Sequence, residues 1–264
     1  MKKTAVIGKQ HFWRSEIERG YDYEDIVDEH FPPEIITKKL ADGEFGLPAK
    51  KTVSSYVEFL ADSGFTRGSQ LFREINNKGI YEFTGEEKYH VDAYIGDRGR
   101  EWLEKSCPDD RPWFLTLSFP GPHMPFDGIG LPDEEAYGEM ELTLPGTELS
   151  DLFHKPPHYL DIAKKFGSLD LKNHTSPDGL TPDEIRLMKK AYYANMTLID
   201  RKIGQVIEFL KKKGLYDNTL ILFTSDHGGF MGDFGVAAER TASSARSKSR
   251  PHASRWRESL SRIP

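Results

Sequence analysis

At 264 residues and 37% apolar content the chain is long enough for one large α/β domain or two small ones. No apolar run nears the roughly 18 residues that cross a bilayer, so no membrane-spanning segment is expected; only Thr4–Ile7 follow Met1, Lys2 and Lys3 before Gly8, so no export signal is expected either. Cys107 is alone, which excludes an internal disulfide, and the net charge of −6 conceals a split: from Val236 onward six Arg and one Lys face two Glu, about +5, leaving about −11 for the body.

Thr4–Ile7 reads as a short buried strand, and Gly8 as a turn that delivers Lys9 and His11 at its C-terminal end. In isolation a surface lysine and an incidental histidine explain this stretch as well. Phe12–Tyr89 is acidic and aromatic, with Pro32 and Pro33 breaking any continuous helix. Within it, Ser54–Leu60 starts a helix with Tyr56, Val57 and Leu60 on one side. Tyr89–Ser106 places Val91, Tyr94, Ile95, Trp102 and Leu103 at helical spacing, a packing helix in which Gly96 and Gly99 either allow a close neighbour or weaken the helix.

Trp113–Phe119 is a strand apolar enough to be covered on both faces. It runs into Pro120–Phe126, where three prolines stiffen the backbone around His123; that histidine is either a site residue or one stacked in a proline-rich turn. Leu131–Leu180 is a long, Pro/Gly/acid-rich surface excursion of the kind that shapes pockets. Sequons at Asn173 and Asn195 are too short a pattern to carry weight.

Thr181-Pro182-Asp183-Glu184 is a capping box with proline at the first helical position. Ile185, Met188, Tyr192, Met196, Ile199, Ile203, Val206 and Leu210 then define one apolar face, and Lys211–Gly214 close the helix. Asp200, Arg201 and Lys202 are expected on its solvated face. The next segment, Leu220–Thr224, has the length and β-branched and aromatic content of a buried parallel strand. At its end stand Ser225, Asp226, His227 and two glycines. In open α/β sheets ligands bind at strand C-terminal ends, and a carboxylate beside an imidazole suits a divalent ion; a turn cap is the alternative.

Three strand ends thus carry Lys9 and His11, then His123, then Asp226 and His227. With the stretches Lys3–His11, Arg111–Phe126 and Ala191–Gly235, this pattern resembles the sulfatases of the alkaline phosphatase superfamily. The matching family patterns are Thr-Ala-x-x-Gly-Lys-x-His, Pro-His-x-Pro-Phe, and Tyr-Tyr-Ala followed by Asp-x-x-Ile-Gly and Ser-Asp-His-Gly. Gln10 departs from the usual Trp, and Phe234 from the usual His.

The resemblance implies an alkaline phosphatase-like α/β/α sandwich with a mostly parallel central sheet, here truncated, and a sulfate-ester hydrolase using Ca2+, or Mg2+ or Mn2+. It implies that Lys9 and His11 hold the nucleophile and the sulfate, that His123 contacts the sulfate or leaving-group oxygen, and that Asp226 and His227 bind the metal. Cations around an anionic ester neutralise developing charge, and a histidine can protonate the departing alkoxide. The expected substrate is a small-molecule or glycan sulfate ester.

The family's formylglycine nucleophile comes from a Cys/Ser-x-Pro-x-Arg motif, which this sequence lacks, and its metal site is completed by an Asp-Asp pair near the first strand, where this sequence has none. Cys107-Pro108-Asp109-Asp110-Arg111 has its proline misplaced and precedes the Trp113 strand, at the opposite end from His123. Residues 1–235 are expected to be a partial catalytic domain. Residues 236–264 are expected to be a basic Arg/Ser-rich tail, disordered or frame-shifted, rather than a nucleic-acid-binding arm. A phosphonate or phosphate diester hydrolase, and a non-catalytic anion- or metal-binding remnant, are the alternatives. A missing strand would leave the sheet open and the chain prone to aggregate.

Overall fold

The structure is a computed structural model that describes residues 3–10, 20–27, 55–65, 71–76, 79–107, 111–138, 140–147, 151, 154–157 and 180–233. The chain divides into two units: Met1–Leu142 with Arg186–Gly214, and Thr143–Ile185 with Leu215–Pro264.

In the first unit, β1 (Lys3–Lys9) lies between β2 (Tyr23–Val27) and β5 (Trp113–Ser118), and all three run parallel. With both edges paired, β1 is the most buried strand of this sheet: Ala5, Val6 and Ile7 are fully inside. Gly8 does not turn the chain. It stays in β1, opposite Ile26 and Ser118, at φ +109°, and a Cβ there would overlap the Ser118 carbonyl. The glycine therefore serves close approach of two strands, and pairing on both sides carries β1 on to Lys9. β5 departs from the expected double burial: Phe114 is 54% exposed, because β5 ends this sheet among the described residues.

The helices follow their sequence periodicity more closely. α1 (Ser55–Asp62) buries Tyr56, Val57 and Leu60, and α2 (Val91–Lys105) buries Val91, Tyr94, Ile95, Trp102 and Leu103. A Cβ on Gly99 would lie 2.6 Å from the Leu117 side chain of β5, and one on Gly96 2.6 Å from Lys202, so both glycines do allow close packing. A second sheet, with no signal in the sequence, orders β3 (Phe72–Asn76), β4 (Ile80–Phe83) and β6 (Phe126–Ile129), with β3 antiparallel and β6 parallel to β4.

α3 (Pro182–Lys212) begins at the expected capping box: the Thr181 amide donates to Glu184 Oε2 at 2.8 Å and the Glu184 amide to Thr181 Oγ1 at 3.3 Å. Its ends bury Ile185, Met188, Val206 and Leu210 as predicted, but Met196 is exposed. The buried stripe in its middle is Ala191, Ala194, Asn195, Leu198 and Lys202. The solvated-face expectation fails at two residues. Lys202 is buried, its Nζ 3.0 Å from both Asp97 carboxylate oxygens, and Arg201 grips Glu87 at 3.0 and 2.6 Å and Asp133 at 2.8 Å. Carboxylates on facing segments draw both cations inward, a pairing the helix alone does not reveal.

In the second unit Leu220–Thr224 forms no strand; Leu220, Leu222 and Phe223 are 84%, 78% and 67% exposed. Strand-forming side chains need a paired neighbour to satisfy the backbone, and among the described residues none pairs with this segment. The basic tail, residues 236–264, lies outside the described residues.

Candidate functional site

The parallel register of β1 and β5, with Gly8 opposite Ser118, puts their C-terminal ends at one sheet edge. Lys9 closes β1 there, and β5 leads there into the loop that carries His123. His11 lies outside the described residues. Cys107 sits before β5, its amide bonded to the Trp102 carbonyl at 3.1 Å, at the other end of the strand from His123.

The His123 loop is held by its own backbone and by neighbours. The His123 amide donates to the Pro120 carbonyl at 3.2 Å, and Nδ1 lies 2.5 Å from the Met124 carbonyl. A carbonyl only accepts, so this contact is a hydrogen bond in the tautomer that carries its proton on Nδ1. His123 stands between two cis prolyl bonds, Gly121–Pro122 and Met124–Pro125. The amide of Gly121 donates to Asp92 Oδ1 at 3.1 Å, and that of Phe126 to the Gly79 carbonyl at 2.8 Å.

Behind the loop lies a buried polar cluster that sequence reasoning missed: His90, Asp92, Asp127 and Asn195. His90 caps α2, its Nδ1 accepting the Asp92 amide at 3.2 Å, and its Nε2 faces Asp127 Oδ1 at 3.5 Å. Asn195 Nδ2 donates to Asp92 Oδ2 at 3.1 Å and to Asp127 Oδ1 at 3.2 Å. Burial pulls the imidazole of His90 down, but the charge and hydrogen bonding of Asp127, with Asp92 and Glu87 behind, outweigh it and hold the ring above its ordinary pKa. Nearby, the bonds from Arg201, against the opposing pull of burial, keep Glu87 below the usual carboxylate range. Asn195 is the residue of one predicted sequon, and its burial removes it as an acceptor in the folded chain.

In the second unit Asp226 and His227 are adjacent in irregular backbone. The His227 amide donates to Asp226 Oδ1 at 2.8 Å, Ser225 Oγ donates to the His227 carbonyl at 2.6 Å, and His227 Nε2 lies 3.6 Å from Asp226 Oδ2. The Asp226 side chain is 83% exposed.

The Sulfatase family model matches residues 3–262. The chain belongs to the sulfatase family. Among its relatives is the choline-sulfatase of Rhizobium meliloti (strain 1021), 30% identical over 61% of this chain and 31% of the relative. The multifunctional alkaline phosphatase superfamily protein PehA of Trinickia caryophylli is 34% identical over 47% of this chain and 25% of its own. The chain therefore spans about a quarter to a third of the length of these curated relatives. The solved phosphonate monoester hydrolase of Agrobacterium radiobacter superposes on 88% of this chain and 46% of its own with a TM-score of 0.60 at 18% identity, which shows a shared alkaline phosphatase-like α/β fold.

The sulfatase family generally uses a metal ion, and Asp226 and His227 are the residues the sequence resemblance implies for it. Their donor chemistry, one carboxylate and one imidazole, suits a divalent cation. Among the described residues no group of three His, Cys, Asp or Glu converges, and calcium takes six to eight ligands, so these residues alone do not complete a calcium site.

Proposed function

We propose that this sulfatase-family chain belongs to the catalytic part of a sulfate-ester hydrolase, with Lys9, His11 and His123 serving the anion and Asp226 and His227 serving a divalent metal, calcium before magnesium or manganese. The observation that supports this reading is that Lys9 and the His123 loop share the C-terminal edge of one parallel sheet. There a lysine ammonium neutralises sulfate oxygens while an imidazole exchanges a proton with the leaving oxygen. With Nδ1 committed to the Met124 carbonyl, His123 meets that oxygen through Nε2. A bound divalent ion would add positive charge at the transferred group. The Cys/Ser-x-Pro-x-Arg motif that makes the family's nucleophile is not among the 264 residues, so this chain's own side chains account for anion binding and proton transfer only.

The substrate class proposed is a small-molecule or glycan sulfate ester. Turnover of an aryl sulfate and an aryl phosphonate by a parent protein that includes the nucleophile motif tests the assignment, alongside Lys9→Ala and His123→Ala in that protein; the 264-residue chain by itself is expected to be inactive. Sulfate turnover above phosphonate turnover, reduced at least about 100-fold by His123→Ala, is the expected result. Preference for the phosphonate assigns the chain to the phosphonate or phosphate diester branch. Sulfate binding by calorimetry without any hydrolysis identifies a non-catalytic anion-binding remnant.

A further inference from the structure

We infer that Asn195 is a positioning residue for His123, acting through Asp92 and Asp127. The inference rests on the proposed role of His123 for its functional meaning and on the geometry of the polar cluster for its substance.

Asn195 sits in the middle of a 31-residue helix and is 1% exposed, between Ala191, Ala194 and Leu198. Local propensity argues against it, because asparagine is a poor helix former whose amide competes for backbone partners. A buried amide is costly to keep unless its polar atoms are answered, and Oδ1 of Asn195 has no hydrogen-bond partner among the described residues, so its retention rests on the donors. Here both hydrogens of Nδ2 find carboxylates on different elements: Asp92 in the first turn of α2 and Asp127 in β6.

Those two carboxylates bracket the His123 loop. Asp92 accepts the amide of Gly121, two residues before His123, and Asp127 lies four residues after it. One side chain on α3 therefore ties both flanks of the loop to the same point. The fit is close: a Cβ on Gly121 would overlap Asn195 Oδ1 and Asp92 Oδ2, so the loop's first turn lies directly on the amide and needs glycine there. Within this frame the short loop fixes the ring, with the His123 amide on the Pro120 carbonyl and Nδ1 on the Met124 carbonyl. Loosening either flank frees the turn from which that ring is hung. Asn195 itself touches neither His123 nor the sheet edge where an anion would bind; its effect is on which nitrogen of His123 carries the proton and where the ring points.

The test reads the His123 ring by nitrogen-resolved NMR of the 264-residue chain, which needs no turnover. The wild-type ring is expected to show an Nδ1-protonated neutral tautomer, and the Gly121 amide to exchange as slowly as the amides around Asn195 in α3. Asn195→Leu is expected to average the His123 tautomers and to speed Gly121 exchange about tenfold, the value of one lost hydrogen bond. Asn195→Gln keeps an amide one methylene out of place, preserves the partners of both carboxylates, and is expected to give an intermediate tautomer signature. An unchanged His123 signature in either folded variant overturns the inference, as does a fast-exchanging Gly121 amide in the wild type if neither variant folds. A purely structural asparagine would lower the melting temperature without moving the tautomer. Absence of sulfate turnover by a parent protein that includes the nucleophile motif would refute the proposed function and leave these ring signals to decide the inference separately.

Discussion

Lys202 and Asp97 offer a pair whose two partners are buried to different degrees, and the asymmetry predicts which one tolerates loss. Lys202 Nζ lies 3.0 Å from both Asp97 oxygens and 3.5 Å from Glu87, with side chains 6%, 39% and 23% exposed respectively. At 3.0 Å and an effective dielectric of about 20 the gross attraction is roughly 5 kcal/mol, most of it offset by desolvating the ammonium. Lys202→Met keeps the stem that packs over Gly96 and leaves Asp97 open to water and Glu87 held by Arg201, so it should cost about 1 kcal/mol or less. Asp97→Asn strands a buried ammonium whose remaining carboxylate is shared with Arg201, and should cost about 2 kcal/mol. Urea unfolding of the two variants and the double variant, compared at constant m-value, measures both costs and their coupling. A larger loss for Lys202→Met than for Asp97→Asn would refute the reasoning, because it would mean that the carboxylate and not the ammonium is the group that burial penalises.

Four further outcomes follow from the same structure. Because His90 is held above its ordinary pKa of 6.5, the folded chain binds that proton more tightly than the unfolded chain. The resulting stability is complete below about pH 6.5 and is lost as the pH rises through the folded value, so thermal melting should fall more steeply as the pH rises above about 6.5 in the wild type than in His90→Gln; equal slopes would remove His90 as the cause. Gly8→Ala places a methyl on the Ser118 carbonyl at φ +109° and should cost at least about 3 kcal/mol by parting β1 from β5; near-wild-type unfolding in urea would contradict that contact. Leu222→Lys breaks the exposed apolar run Leu220–Phe223 and should raise the soluble fraction measured by light scattering, while no change would place the source of aggregation elsewhere. In a parent protein that completes the metal site, Asp226→Asn should abolish the heat of calcium binding in calorimetry, and wild-type heats in that variant would exclude Asp226 as a ligand.

The features legible in the sequence were those whose cause is local. The 3.6-residue periodicity placed α1 and α2, the capping box fixed the start of α3, and an apolar run with β-branched residues located β1. Gly96 and Gly99 left close packing or a weakened helix open in the sequence, and the side chains of Lys202 and Leu117 that a Cβ would meet decide for close packing. What the sequence hid depended on partners. Leu220–Thr224 has strand composition without a strand beside it, Gly8 looks like a turn until β5 is placed against it, and Lys202 looks solvated until Asp97 and Glu87 face it. The second sheet arises because β6, entered from the His123 loop, pairs with β4.

The site divides along the same line. The placement of Lys9 and the His123 loop at one sheet edge was legible because Lys9 ends one strand and His123 follows another, and parallel strands deliver their C-terminal ends to one edge whatever lies between them in sequence. Asn195 could not, since its carboxylate partners are 103 and 68 positions away and nothing near it in sequence contrasts with an ordinary helix face. A buried polar cluster of this kind is a poor source of net stability, because apolar residues of similar shape would pack there at comparable or lower free energy. What apolar residues cannot do is fix the loop amide of Gly121 to α2 and the start of β6 to α3 through directional bonds. That asymmetry between stability and direction is why, for Asn195, the tautomer of His123 discriminates where a melting temperature alone cannot.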